Sequence, residues 1–279
     1  MQSRLRIGVR SSAVVSLVVV CGAAAAHAPA SLKQAFKGDF VVGAAINEAQ
    51  ITGQDQREDA LIESQFNSIS PENALKWANV HPQPGKYNFD LTDKYVAFGQ
   101  KHHMFIVGHN LVWHEQVPDW VFHDDKGNPL DRDALLARMK DHIYTVVGRY
   151  KGKIKVWDVV NEAVADNGTN LLRNSLWLQI IGPDFIAKAF EYAHDADADA
   201  FLRYNDYGLE NPGKRHKLIT LIKSLQAEQV PVMAIGTQTH VSVSSPSFEA
   251  EDQSLTELEA LGLGSRPCDG RRVYQCATI

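Results

Sequence analysis

The segment Trp157-Asp158-Val159-Val160-Asn161-Glu162-Ala163 sets a carboxylate at the end of an apolar run. Read as a strand, alternation puts Asp158, Val160 and Glu162 on one face and Trp157, Val159 and Asn161 on the other. A carboxyl group at the end of a buried strand faces a low dielectric, which disfavours its charged form and suits a general acid. The spacing alone favours a salt-bridged or solvated glutamate. Glu72, Asn73 and Lys76 offer an acceptor, an amide and an ammonium donor. The same three would serve as capping groups where a loop or helix begins. His109 and Trp113 share a face if their strand continues, and an indole beside an imidazole suits a ring with an apolar face and a polar rim. A core tryptophan and a satisfied histidine are the alternative. Asn205 with Tyr207, and Gln238 with His240, are i, i+2 pairs that share a face or simply mark polar strand ends. His109 and His114 point to opposite faces of a strand, so no metal site is predicted.

These residues need strands that end together. Apolar strand-like runs at 40–46, 65–70, 104–113, 155–160, 200–206 and 232–241 alternate with helical patterns at 91–102, 132–150, 175–193, 214–228 and 254–261. Runs that are apolar throughout indicate burial on both faces, as in parallel sheets. Strand–helix alternation of this spacing implies parallel βα units. The polar residues cluster at the C-terminal ends of the runs, where a barrel or doubly wound sheet places its site. No glycine-rich phosphate fingerprint follows the first strand, so the pattern predicts an α/β fold of the (β/α)8 TIM-barrel type, with six strands found and two lacking.

With 279 residues, 44% of them hydrophobic, the chain suffices for one large domain. A net charge of −5 and basic residues interspersed with acids argue against nucleic acid or an anionic membrane as partner. Arg4, Arg6 and Arg10, an apolar stretch at 13–21, and small residues at 24–28 form a secretory signal pattern. That stretch is short of the ~20 residues that span a bilayer. The expected organisation is a signal peptide at 1–28, a barrel at 29–263 and an aberrant tail at 264–279, the product being extracellular or periplasmic. Cys268 and Cys276 would close only a small terminal loop and read as incidental thiols.

Five segments, in order, resemble glycoside hydrolase family 10, whose main activity is endo-1,4-β-xylanase. They are Ser70-Pro71-Glu72-Asn73-Ala74-Leu75-Lys76-Trp77, Gly108-His109-Asn110-Leu111-Val112-Trp113-His114, the Glu162 segment, Tyr204-Asn205-Asp206-Tyr207, and Gly236-Thr237-Gln238-Thr239-His240. The resemblance runs from about Phe36 to Leu263. It implies retaining hydrolysis of internal bonds of xylan or a related plant cell-wall polysaccharide by a monomer without a cofactor. It makes Glu162 the acid/base and puts Glu72, Asn73 and Lys76 on the glycone side. It adds His109, Trp113 and Tyr207 as substrate contacts, Asn161 at the sugar 2-hydroxyl, and Gln238 and His240 around the nucleophile. A hydrolase of another β-1,4-glycan such as cellulose, or a non-catalytic carbohydrate-binding remnant, are the other readings.

A retaining glycosidase needs two carboxyl groups about 5 Å apart. In the family the nucleophile is a glutamate in a Thr-Glu-Leu-Asp motif on the seventh strand. Thr256-Glu257-Leu258-Glu259 looks similar, but Leu255, Leu258 and Leu261 make a helical stripe that leaves Glu257 and Glu259 off it. The seventh strand should therefore follow Leu263, where the sequence shows neither strand alternation nor a glutamate; Asp269 is the one acid there. A frameshift, a truncation or a divergent tail would each produce this, and the expectation is a chain that folds poorly and does not turn over.

Overall fold

The computed structural model describes residues 31–263. The segment 1–28, expected to be a signal peptide, and the tail with Cys268, Asp269 and Cys276 lie outside the described residues. Six strands, β1 (Gly43–Ile46), β2 (Ser68–Pro71), β3 (Phe105–Val112), β4 (Val156–Asn161), β5 (Phe201–Asp206) and β6 (Ala234–Thr237), form one sheet in sequence order. Every neighbouring pair is parallel. β4 is buried at every position and β5 at every position but its first, as expected of strands covered on both faces. Among the described strands β1 pairs only with β2 and β6 only with β5, so the arc is open.

Helices return the chain between strands, and local chemistry sets their ends. Asp131 caps Arg132–Arg149, its carboxylate accepting from the Ala134 amide at 2.8 Å. Asn211 caps Pro212–Ala227, where the proline at the first turn loses no hydrogen bond. The helix expected over 175–193 is two, Leu176–Ile181 and Phe185–Ala196. Gly182, at φ 99°, and Pro183, with no amide hydrogen, break it. The strand expected at 65–70 starts later, because Gln65 ends the helix Gln56–Gln65. The strand expected at 232–241 stops at Thr237, and Thr239 at φ 43° has left the extended region.

The helix Phe248–Glu259 contains the glutamates of the Thr-Glu-Leu-Glu segment. Glu257 reaches back to Arg215 on the preceding helix, with Arg215 Nε 2.7 Å from its carboxylate. That pair ties two outer helices together, with Arg215 itself 1% exposed.

Candidate active site

Four buried or half-buried groups form a row beneath the strand ends. Arg203 on β5 donates to Asp158 on β4, Nε to Oδ1 at 2.6 Å. The other oxygen of Asp158 lies 2.9 Å from His109 Nδ1 on β3, and His109 Nε2 lies 2.8 Å from Lys76 Nζ. Lys76 can only donate, so His109 accepts through Nε2 and carries its proton on Nδ1, toward Asp158. Burial pushes the Asp158 carboxyl up, but Arg203 and His109 outweigh it and hold it at about 2. Burial lowers His109 despite its bond to Asp158, which keeps the ring neutral. It also lowers Lys76 to about 8, although Glu162, Asp158 and Glu115 pull the other way. The Lys76 ammonium lies 4.1 Å from the Trp113 ring centroid, a cation–π contact that joins this row to the next group.

Glu162 stands just past the end of β4, 9% exposed. Trp113 Nε1 donates to its Oε2 at 2.8 Å, and Gln238 Nε2 donates to its Oε1 at 2.8 Å. Two donors from β3 and the β6 end thus fix the carboxyl group at both oxygens. Each donor is itself held. Trp177 Nε1 donates to the Trp113 carbonyl at 2.7 Å, and the Gln238 amide oxygen lies 2.8 Å from His240 Nε2. The Gln238 amide also reaches Asn161 Oδ1 at 3.3 Å, and Asn205 Nδ2 donates to the same oxygen at 2.8 Å. Asn161 and Glu162 therefore meet one side chain, against the alternation expected of a regular strand. The register of β4 shifts against β5 between Asp158 and Val160, and Glu162 has left-handed φ of 58°. These two departures turn consecutive side chains to the same site. Asn161 Nδ2 is buried and has no partner within the described chain, a donor available to a ligand hydroxyl.

Other residues singled out in the sequence sit farther along the rim. Asn73 is exposed; its Oδ1 accepts from Gln116 at 3.3 Å and its carbonyl from Asn79 at 2.7 Å. Glu72 is half-buried, its amide bonded to the Ile46 carbonyl at 3.0 Å. Beyond Asn73 a polar groove of about 500 Å³ continues past Asn47, Asn79, Asn88 and Lys94. Tyr207 joins a different cluster from its i, i+2 partner Asn205. Its hydroxyl donates to Asp166 at 2.9 Å and accepts from Arg173 at 3.0 Å, while Lys214 Nζ lies 3.6 Å from its ring centroid. Lys214 also pairs with Asp166 at 2.7 Å and Asp206 at 2.8 Å. Among the described residues no group of three or more His, Cys, Asp or Glu is placed to hold a metal ion.

Arg203, Arg173 and Lys214 were not singled out in the sequence, and Tyr204 entered only as the first residue of the Tyr204-Asn205-Asp206-Tyr207 segment. A charge inside the apolar run 200–206 was a usable signal for Arg203, since a buried cation needs a partner. No local pattern marks Arg173, which a tight return brings back to Glu162: its amide donates to the Ala163 carbonyl at 2.8 Å and its Nε to the Glu162 carbonyl at 3.0 Å.

The family model for glycosyl hydrolase family 10 matches residues 31–265. The chain is 45% identical over 233 residues to the endo-1,4-beta-xylanase of Geobacillus stearothermophilus, covering 84% of this chain and 69% of that one. It is 43% identical over 233 residues to the beta-1,4-xylanase of Dictyoglomus thermophilum, covering 84% of this chain and 63% of the relative. It thus spans about two thirds of these relatives' length. A GH10 endoxylanase from a sugarcane soil metagenome superposes with a TM-score of 0.82 at 43% identity, covering 88% of this chain and 68% of that one. A Thermoanaerobacterium saccharolyticum xylanase, solved as an alanine variant with xylotetraose, superposes with a TM-score of 0.79 at 42% identity over 84% of this chain and 74% of that one. With the family model matched from the first described residue to past the last, the chain belongs to glycosyl hydrolase family 10.

Proposed function

We propose that this chain carries the sugar-binding and proton-transferring part of a secreted endo-1,4-β-xylanase, built on the first six units of an eightfold barrel. The observation that carries this reading is the Glu162 carboxyl group, fixed between Trp113 and Gln238 at the strand ends beside the Lys76–His109–Asp158 row. In the reaction, Glu162 protonates the leaving glycosidic oxygen as the bond from that oxygen to C1 breaks. It then takes a proton from the water that releases the sugar from a carboxylate nucleophile. Lys76 presents its remaining N–H donors to sugar hydroxyls while His109 and Asp158 hold it in place, Trp113 offers an apolar ring face, and the unpartnered Asn161 amide suits the 2-hydroxyl.

The nucleophile is the open element. Asp158, Asp206 and Glu257 are each neutralised by a cation, Arg203, Lys214 and Arg215 respectively. Residues 264–279 hold one acid, Asp269. We infer that residues 29–279 alone bind xylo-oligosaccharides but turn xylan over slowly or not at all. The paired acids favour, as the second reading, a carbohydrate-binding protein without catalysis.

One experiment separates these. The full chain is expressed with its leader, recovered from the medium, and weighed intact. A mass starting near His27 or Pro29 is expected, and one that retains the leader overturns secretory processing. Xylotetraose is then titrated in; measurable binding is expected, weakened about 10- to 100-fold by Lys76→Met, since one hydrogen bond from a charged donor is worth ~1.5–3 kcal/mol. Finally, an aryl β-xylobioside is supplied with azide. Azide attacks C1 in place of a carboxylate nucleophile and the aryl oxygen, chosen as that of an unactivated phenol that needs protonation, leaves with a proton from Glu162, giving an α-xylobiosyl azide. Azide-dependent turnover that falls in Glu162→Ala supports the hydrolase. Binding without any turnover supports the second reading, and absence of binding overturns both.

A further inference from the structure

Glu162 adopts a backbone conformation that a glutamate does not take by preference, φ 58°. Such a residue stays in place only where its surroundings over-determine it. Five hydrogen bonds to the backbone of residues 162–164 do so, one of them from the Arg173 amide to the Ala163 carbonyl at 2.8 Å. The Glu162 amide donates to the Asn205 carbonyl at 2.8 Å, and the Glu162 carbonyl accepts from Arg173 Nε at 3.0 Å. The remaining two converge on a single atom. The amides of Ala163 and Val164 both donate to the Tyr204 hydroxyl oxygen, each at 2.9 Å. That hydroxyl gives its proton to Asp206 Oδ2 at 2.7 Å. One donated and two accepted bonds exhaust what a hydroxyl can make. Tyr204 is fully buried, and Asp206 is held in turn by Lys214 at 2.8 Å and by the Tyr207 amide at 2.9 Å.

We propose that Tyr204 is a positioning residue for Glu162. Its hydroxyl gathers the two amides that follow Glu162, which fixes the turn after β4 and so aims the carboxyl group at Trp113 and Gln238. Tyr204 touches no atom of the carboxyl group and acts wholly through the backbone. The assignment rests on the reading of Glu162 as the proton donor for its importance, but the geometry can be tested without turnover.

The test uses Trp113, whose indole N–H bonds the Glu162 carboxylate. Trp emission is compared for the full chain with and without Glu162→Gln, then for the same pair in a Tyr204→Phe background, all well below melting. Removing the charge beside the indole shifts the emission in the parent, and Trp113→Phe abolishes that shift. In the Tyr204→Phe background the shift is expected to shrink to less than half. Tyr95→Phe is the control. Tyr95 is as deeply buried, its hydroxyl 2.9 and 2.7 Å from the carbonyls of Ile69 and Val107. It is expected to lower the melting temperature and leave the Glu162-dependent shift intact. If Tyr204→Phe fails to fold, Asp206→Asn, which weakens the hydroxyl's acceptor, should reduce the shift by a smaller amount. An undiminished shift in the folded Tyr204 or Asp206 variant, or an equal loss in Tyr95→Phe, overturns the positioning role. Failure of the proton-donor reading shows separately, as azide-dependent turnover that survives Glu162→Ala.

Discussion

Lys76 carries opposite consequences for binding and for stability. The residue is 6% exposed and its ammonium packs on the Trp113 ring. Burial lowers its pKa to about 8, with Glu162, Asp158 and Glu115 opposing the shift only in part. As pH rises through 8 the folded protein loses a three-proton donor, and xylotetraose affinity should fall about 10-fold or more, in line with the loss of one charge-assisted hydrogen bond. Stability moves the other way. The folded pKa lies below the usual lysine value of 10.5, so between pH 8 and 10.5 the unfolded chain binds more protons. The cost of burying the ammonium is present below pH 8 and disappears as pH climbs toward 10.5. Relative to Lys76→Met, the parent should therefore gain stability across that window while losing affinity. Titration calorimetry and thermal melting at matched pH values check both, and parallel trends would refute the assignment. At this scale, spacing alone left Glu162, Lys76 and His109 open between a site and a structural role, and the order of five family-like segments singled them out. Neither revealed what holds them, since Arg203, Arg173 and Tyr204 act across strands or loops that the sequence separates by tens of residues.

The strands position these groups through small irregularities as much as through regular pairing. Period-two alternation assigns Asn161 and Glu162 to opposite faces, yet both meet the Gln238 amide. The shifted register of β4 against β5 and the left-handed φ at Glu162 are tertiary outcomes, set by neighbours such as Tyr204, and alternation cannot carry them. The strand–helix order was legible because apolar runs and capping residues are local. Short helices such as Glu48–Ile51 and Trp77–Val80 were not, being too brief to show a period. β6 gives a direct test of how tightly the elements meet. Gly236 pairs with Asn205 on β5, and a methyl group there would fall 2.3 Å from Asn205 Oδ1. Gly236→Ala must push β6 or the Asn205 amide aside, and Asn205 is what anchors Asn161. Overpacking of this kind costs about 1–3 kcal/mol, or roughly 3–10 °C in melting temperature for a domain of this size. Xylotetraose affinity should fall as well, because β6 also carries Gln238 to Glu162. A melting temperature and affinity equal to the parent's would show that the β5–β6 contact has slack that the distances deny.

At the scale of the molecule, the arc of six strands keeps two edges. Among the described strands β1 pairs only with β2 and β6 only with β5. Edges of this kind are templates for pairing with another chain unless they are covered, charged or interrupted. Here the protection is thin. β6 reads Ala234-Ile235-Gly236-Thr237, with no charge and no proline. The chain that leaves it exposes Val241, Val243 and Phe248, the last at 82%. Against association stands only the net charge of −5, whose repulsion salt screens. Residues 29–279 at micromolar concentration should therefore self-associate, and more so at higher salt, since hydrophobic and edge contacts survive screening while repulsion does not. Ile235→Lys places a charge on the edge strand and Val243→Asp one on the exposed apolar segment. Each should shift the mass measured by light scattering toward the monomer. Paired with Val243→Asp, a Leu176→Asp control should change nothing, since Leu176 is exposed at 38% and its helix Leu176–Ile181 lies between β4 and β5, away from both end strands in sequence. A concentration-independent monomer at high salt in the parent chain would mean that both edges are already covered.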